Sequence, residues 1–236
     1  MQDLDNHLIK TVGDPKIRLK EDSLRILRAI RIATILDFEI EKETKQYLKE
    51  YGYLLKKLSY QRKKQELDKI FTNINKEKGI KTLIDLGLDV YLDIPNLKKI
   101  VPCSNLTGIW AQLNIDDTYP FNKLEKRQIK QIKQILTQDI HDKYIIYKYG
   151  LYISTVAYQI KKENIQKLNE IYNSLPIHHS KEIDIPKEEI AKLLSKKPDK
   201  FLKEIINDLE KQIVTGNLNN KRKNIINYIR KKYLIK

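Results

Sequence analysis

The chain has 236 residues, 46 Lys plus Arg against 31 Asp plus Glu for a formal charge of +15, an apolar fraction of 41%, and only one Cys. That apolar fraction suffices for a core, the lone Cys103 excludes a disulfide scaffold within the chain, and one Cys and four His without ligand spacing argue against structural zinc. No apolar run approaches the roughly 18 to 20 residues of a membrane span, and the polar N-terminal end lacks the apolar stretch of a signal peptide, so the sequence reads as a soluble, cytoplasmic protein.

Apolar positions recur at three- and four-residue spacing almost throughout, Gly and Pro are sparse, and no alternation marks a strand. The expectation is an all-α fold, an elongated multi-helix array. A helix is predicted over residues 21–36, opening on two acids and running without a breaker. Further helices are predicted at about 42–55, 60–74, 79–88, 122–137, 141–160, 163–173, 187–195, 199–214 and 219–232. Turn signals separate them at Gly13-Asp14-Pro15, Ile94-Pro95-Asn96, Val101-Pro102, Tyr119-Pro120, Leu175-Pro176 and Gly216-Asn217.

Charge of this sign, spread along the chain, points to a polyanionic partner, nucleic acid ahead of a membrane surface; the alternative is a solvated lysine-rich exterior. Only eight of the 46 cations are Arg, yet five of those, Arg18, Arg25, Arg28, Arg31 and Arg62, fall in the first 62 residues. Where Lys otherwise serves, a local return to Arg signals a need for the planar guanidinium. At 100° per residue Glu21, Asp22, Arg25 and Arg28 share about a third of the helix circumference, and Ile26, Leu27, Ile30 and Ala33 take the opposite arc. Asp22 accepts hydrogen bonds and Arg25 donates them, so together they form an acceptor-plus-donor edge. Cytosine and adenine each set an exocyclic amino donor beside a ring-nitrogen acceptor, the complement of that edge; uracil and guanine present the reverse order. The alternative meaning of the same spacing is an ordinary i, i+3 ion pair at a helix start.

The segment Leu8-Ile9-Lys10-Thr11-Val12-Gly13-Asp14-Pro15, followed by Arg18-Leu19-Lys20-Glu21-Asp22-Ser23-Leu24-Arg25-Ile26-Leu27-Arg28-Ala29-Ile30-Arg31, resembles the hinge and neck of class II tRNA nucleotidyltransferases, the CCA-adding enzymes and their poly(A) polymerase relatives. Departures are Lys10 for the usual Arg and Leu19 and Ile32 for the usual Phe. The resemblance implies an amino-acid template in which Asp22 and Arg25 pair with the base of incoming CTP or ATP and Glu21 holds the arginine, with Arg28 and Arg31 in support. Leu58-Ser59-Tyr60-Gln61-Arg62-Lys63-Lys64-Gln65-Glu66-Leu67-Asp68-Lys69-Ile70 is similar to the family's bracing neck motif. Gln61 stands where that motif has Glu, so Arg62 is expected to pair with Glu66, four residues on. Taken by itself, the segment is an amphipathic helix with a charged outer face.

The same resemblance divides the chain into a hinge stub at 1–20, a neck at 21–75, a body at 76–150 and a tRNA-binding tail at 151–236. It implies a CCA-adding activity whose catalytic head is missing from this chain, a tRNA partner, a possible separate head chain, and Mg²⁺ held by that head. This chain alone is then expected to be inactive. Phosphoryl transfer uses metal ions to neutralise the triphosphate, and the only DxD is Asp3-Leu4-Asp5, at the terminus and without a preceding strand. The open alternatives are a non-catalytic tRNA-binding protein, a truncated remnant, or poly(A) addition. Two basic patches suit an RNA backbone: Lys123, Lys126, Arg127, Lys130 and Lys133 on one helix face, and Lys221, Arg222 and Lys223, with Tyr228 and Tyr233 close behind them. His178-His179 and Cys103 are expected to carry no chemistry.

Overall fold

The computed structural model describes residues 6–115, 117–194 and 200–234, with the side chain of residue 200 excepted. The described chain is all-α apart from one pair of two-residue parallel strands, β1 (Leu8–Ile9) and β2 (Glu39–Ile40), in register Leu8 to Glu39 and Ile9 to Ile40. It divides into two compact units, one up to Lys133 and one from Gln134.

In the first unit Asp14 caps α1 (Pro15–Glu21), its carboxylate accepting from the Lys16 amide at 2.8 Å, and Pro15 supplies the preset φ of a first helical residue. The turn signal at Gly13-Asp14-Pro15 is thus a cap, and the short helix after it is an addition to the expected elements. The helix predicted from residue 21 starts at Leu24 instead: α2 (Leu24–Leu36) follows an extended Asp22 (φ −142°, ψ 98°). Ile26, Leu27 and Ile30 of α2 are fully buried against α4 (Tyr60–Phe71) and α5 (Lys76–Asp85), as their spacing requires. The three helices approach closely at Gly79, where a Cβ would lie 2.5 Å from Thr34 Oγ1 and 2.6 Å from Ile70 Cγ2. Between α2 and α4 runs α3 (Lys42–Glu50), shorter than expected because the chain tightens into a 3₁₀ turn at Gly52–Lys57. The unit continues through α6 (Leu88–Tyr91) and α7 (Leu106–Leu113), and α8 (Lys123–Leu136) starts within it. Trp110 of α7 is buried among Phe71, Tyr119 and Phe121, whose ring centroids lie 5.0 to 5.4 Å away. Helix α7 is a further addition to the expected elements, since it is buried nearly all round and shows no polar face.

In the second unit the helix predicted at about 141–160 is α9 (Lys143–Lys161), and it is broken at Gly150, whose φ of 74° and ψ of 167° only glycine adopts readily. The chain doubles back there. His141 before the first leg meets the Tyr158 hydroxyl of the second at 2.8 Å, though 17 residues separate them. Helix α9 packs on α10 (Ile165–Asn173), and α11 (Lys187–Leu193), α12 (Lys200–Val214) and α13 (Arg222–Ile229) complete the unit. Predicted ends at 195 and 199, and Asp3-Leu4-Asp5, lie outside the described residues. Among those residues no helix is long and apolar enough to cross a membrane.

Candidate functional site

The break between α1 and α2 places Asp22 at an elbow. Its backbone amide closes α1 on the Arg18 carbonyl at 3.3 Å, and its Oδ1 accepts from the Leu24 amide at 3.1 Å, so the side chain caps the start of α2. The half-buried carboxylate then meets guanidinium groups from two helices: Arg62 Nη2 of α4 lies 3.4 Å from Oδ1, and Arg28 Nη1 of α2 lies 3.7 Å from Oδ2. Arg25 sits in the first turn of α2, its amide bonded to the Asp22 carbonyl at 3.0 Å. Its guanidinium is exposed and makes no ion pair or hydrogen bond with any described residue. At this elbow the Asp22 carboxylate is held by the Leu24 amide and two guanidinium groups, and Arg25, three residues on, keeps an unspent, planar donor.

Two expected pairings come out differently. Glu21 does not hold Arg25; it ends α1 and pairs with Arg18 at 3.1 Å, because the extended Asp22 interrupts the continuous helix that would set Glu21 and Arg25 on one face. Arg62 does not pair with Glu66. Arg62 is spent on Asp22, and Glu66, nearly fully buried, meets Arg31 of α2 at 2.9 Å. Both pairs therefore cross from α4 to the neighbourhood of α2 and brace it, where the sequence suggests contacts within one helix.

Helix α4 also departs from the expected charged outer face. Lys63 and Lys64 are buried, at 1% and 7% exposure. Lys64 Nζ lies 2.8 Å from both Asp68 Oδ2 and Glu125 Oε1, between the Trp110 and Phe121 rings, and the Trp110 indole donates to Asp68 Oδ1 at 2.7 Å. Burial pushes the Asp68 carboxyl above its ordinary value despite the Lys64 and Trp110 hydrogen bonds. Glu125 has a second task. Its Oε2 accepts from the Asn122 amide at 2.7 Å while Asn122 Oδ1 accepts from the Leu124 and Glu125 amides, a reciprocal cap that begins α8. One carboxylate thus joins the start of α8 to α4. No local pattern announces this contact, which spans 61 residues.

The five predicted cations of α8 divide. Lys123, Lys126, Arg127 and Lys130 are exposed and pair with no described residue; Lys133 is partly covered and engaged. In the other patch Arg222 reaches Glu189 at 2.7 Å, whereas Lys221 and Lys223 stay exposed. Tyr228 and Tyr233 do not stand free among the cations. Both hydroxyls donate to Asp208 of α12, at 2.8 and 2.7 Å, and Lys232 joins them at 2.8 Å. His178 and His179 turn toward the backbone, at Tyr172 O and the Lys181 amide. Cys103 is buried with its thiol on the Asn105 carbonyl.

The family model for tRNA nucleotidyltransferase domain 2 matches residues 117–229, and the model described as "Probable RNA and SrmB-binding site of polymerase A" matches residues 37–100. Similar curated proteins include the CCA-adding enzymes of Ligilactobacillus salivarius, 30% identical over 98% of this chain, and of Geobacillus sp., 29% identical over 98%. This chain spans 65% of the length of each. Among solved structures, the Bacillus stearothermophilus CCA-adding enzyme in complex with CTP superposes with a TM-score of 0.82 at 19% identity, covering 98% of this chain and 67% of that one. The Thermotoga maritima CCA-adding enzyme complexed with tRNA gives 0.66 at 17% identity, covering 97% and 65%.

Proposed function

We propose that this chain, matched over residues 37–100 and 117–229 by family models of polymerase A and tRNA nucleotidyltransferase domains, chooses the incoming nucleotide and holds tRNA for an enzyme that adds CCA to tRNA 3′ ends. The observation that carries this reading is the elbow: Asp22 is fixed by a backbone amide and two guanidinium groups, and Arg25, three residues on, has no partner among the described residues to satisfy. An acceptor and a donor of these types complement the amino group and ring nitrogen of cytosine or adenine. The names of the relatives, CCA-adding enzymes with structures in complex with CTP and with tRNA, agree with that choice of base and partner. The unpaired cations of α8, with Lys221 and Lys223, suit the phosphates of the tRNA.

Phosphoryl transfer itself calls for metal ions. Among the described residues no group of three or more His, Cys, Asp and Glu converges to hold one. In this reading the part of the described residues in the reaction is to bind and orient the nucleotide and the tRNA.

The test supplies the remaining third of a relative such as the Ligilactobacillus enzyme as a separate polypeptide and measures incorporation of each of the four nucleotides into tRNA. Asp22→Ala and Arg25→Ala should lower the preference for CTP and ATP over UTP and GTP by about 5- to 150-fold, the equivalent of about 1 to 3 kcal/mol. Unchanged preference in both variants, at normal melting temperature, would remove the two residues from base choice.

A further inference from the structure

A groove of about 510 Å³ on the first unit is lined by Tyr60 and Gln61 at the start of α4, by Thr118 and Asp117, and by Lys126 of α8. Tyr60 is its distinctive wall. The hydroxyl donates to Asp93 at 2.9 Å, the Lys63 ammonium lies 4.5 Å from the ring centroid, and the Tyr119 ring abuts it at 5.1 Å. Three contacts fix the ring, yet the residue stays 36% exposed. A ring held rigid in a residue that keeps about a third of its surface open to solvent loses little entropy when something flat meets it.

The rest of the lining says what that flat group is. Asp117 disfavours a phosphate inside the groove, while the Gln61 amide and the Thr118 hydroxyl each offer both donor and acceptor capacity, which suits a base edge. Lys126, with no partner among the described residues, belongs to the row that continues through Arg127 and Lys130. Aromatic platform, mixed polar edge and a cation row alongside are the parts of a site for single-stranded nucleic acid.

We propose that this groove receives one unpaired base of a bound RNA, stacked on Tyr60, with the backbone running along Lys126. The proposal rests on the RNA-binding reading above and adds to it a discrimination: bases inside a duplex are stacked and paired, so the groove favours an RNA stem that carries a single-stranded end.

The probes are an RNA hairpin with a 3′ single-stranded overhang containing 2-aminopurine and the same hairpin ending flush. Wild-type chain should bind the overhang form about 5- to 100-fold more tightly and quench the 2-aminopurine emission. Tyr60→Leu should erase the difference and restore emission without weakening the flush hairpin, and Tyr60→Phe should keep both. Should Tyr60→Leu melt early through loss of its Asp93 contact, Gln61→Ala, at an exposed position, carries the test by reducing the overhang preference at native melting temperature. Equal affinity of the wild type for both probes overturns the proposal, as does a preference that survives Tyr60→Leu in a folded protein or is untouched by Gln61→Ala. Failure of both probes to bind is a separate result, and it removes the RNA-binding reading itself.

Discussion

Arg31 and Arg62 look interchangeable in the sequence, two cations among five near a short acidic motif, and the structure gives them unequal weight. Arg62 and Asp22 meet in a half-exposed setting, where an ion pair is worth under about 1 kcal/mol. Arg31 meets a Glu66 that is 6% exposed, at 2.9 Å but without hydrogen-bond alignment, and the other cation near that carboxylate among the described residues is Lys69 at 3.8 Å. Removing Arg31 strands a buried carboxylate. Arg31→Ala should therefore destabilise the fold by about 3 kcal/mol, the low end for breaking a buried pair, and Arg62→Ala by less than about 1 kcal/mol. Chemical denaturation of both variants tests the ranking, and equal losses would contradict it. Asp22 and Arg25 are singled out in the sequence by the resemblance, since three-residue spacing alone fits an ordinary ion pair; their bracing is not legible, because Arg62 approaches Asp22 from 40 positions away and Arg31 approaches Glu66 from another helix.

Amphipathic helices with one polar face, such as Lys123–Leu136 and Lys200–Val214, declare themselves by period. Elements that break the period do not: Leu106–Leu113 because burial on nearly all sides leaves no polar face to count, and the break at Gly150 because a lone glycine inside an apolar repeat resembles a tolerated one. The last helical turns of the chain show how a basic tail acquires structure. Burial alone would raise the Asp208 carboxyl, but hydrogen bonds from Lys232, Tyr233 and Tyr228 outweigh it and hold the group below its ordinary value of 3.8. A lowered carboxylate stabilises the fold above pH 3.8 and loses that contribution as pH falls below it through the folded value. Tyr233 is the mirror case: burial first, and then its bond to Asp208, push the phenol from 10.0 up to about 12, so its contribution is full below pH 10 and is lost as pH rises through about 12. Melting temperature should accordingly fall on the acid side more steeply for the wild type than for Asp208→Asn. Parallel curves for the two proteins below about pH 5 would show that this cluster contributes nothing.

Over the whole molecule the count of 46 cations overstates what is available to a polyanion, because part of it is spent on carboxylates within the chain. Lys64 and Lys232 sit on carboxylates, Arg222 on Glu189 and Arg31 on Glu66, whereas Lys123, Lys126, Arg127 and Lys130 remain uncommitted among the described residues. Each cation that meets a phosphate adds about 0.7 to 0.9 to the slope of log affinity against log salt. Lys126→Ala should lower that slope for tRNA by about this amount, and Lys232→Ala, whose ammonium already belongs to Asp208, should leave it unchanged. Titrations at several salt concentrations decide this, and equal slopes for Lys126→Ala and wild type would take α8 out of the interface.

The Asp22 elbow and the turn at Gly150 differ in when they can exist. His141 and Tyr158 close a loop of 17 residues, and the pairing of Asp22 with Arg62 closes one of 40. Closure entropy rises with the logarithm of loop length, and contacts near in sequence form early. The doubled-back helix is thus a single local event, complete once its own few turns are present. The elbow is a late assembly: α1 and α2 can form with Asp22 between them, yet the carboxylate is not held from both sides until α4 has been made and has docked. During synthesis the residues that would read a base emerge ahead of the helix that braces them, and their arrangement waits on it.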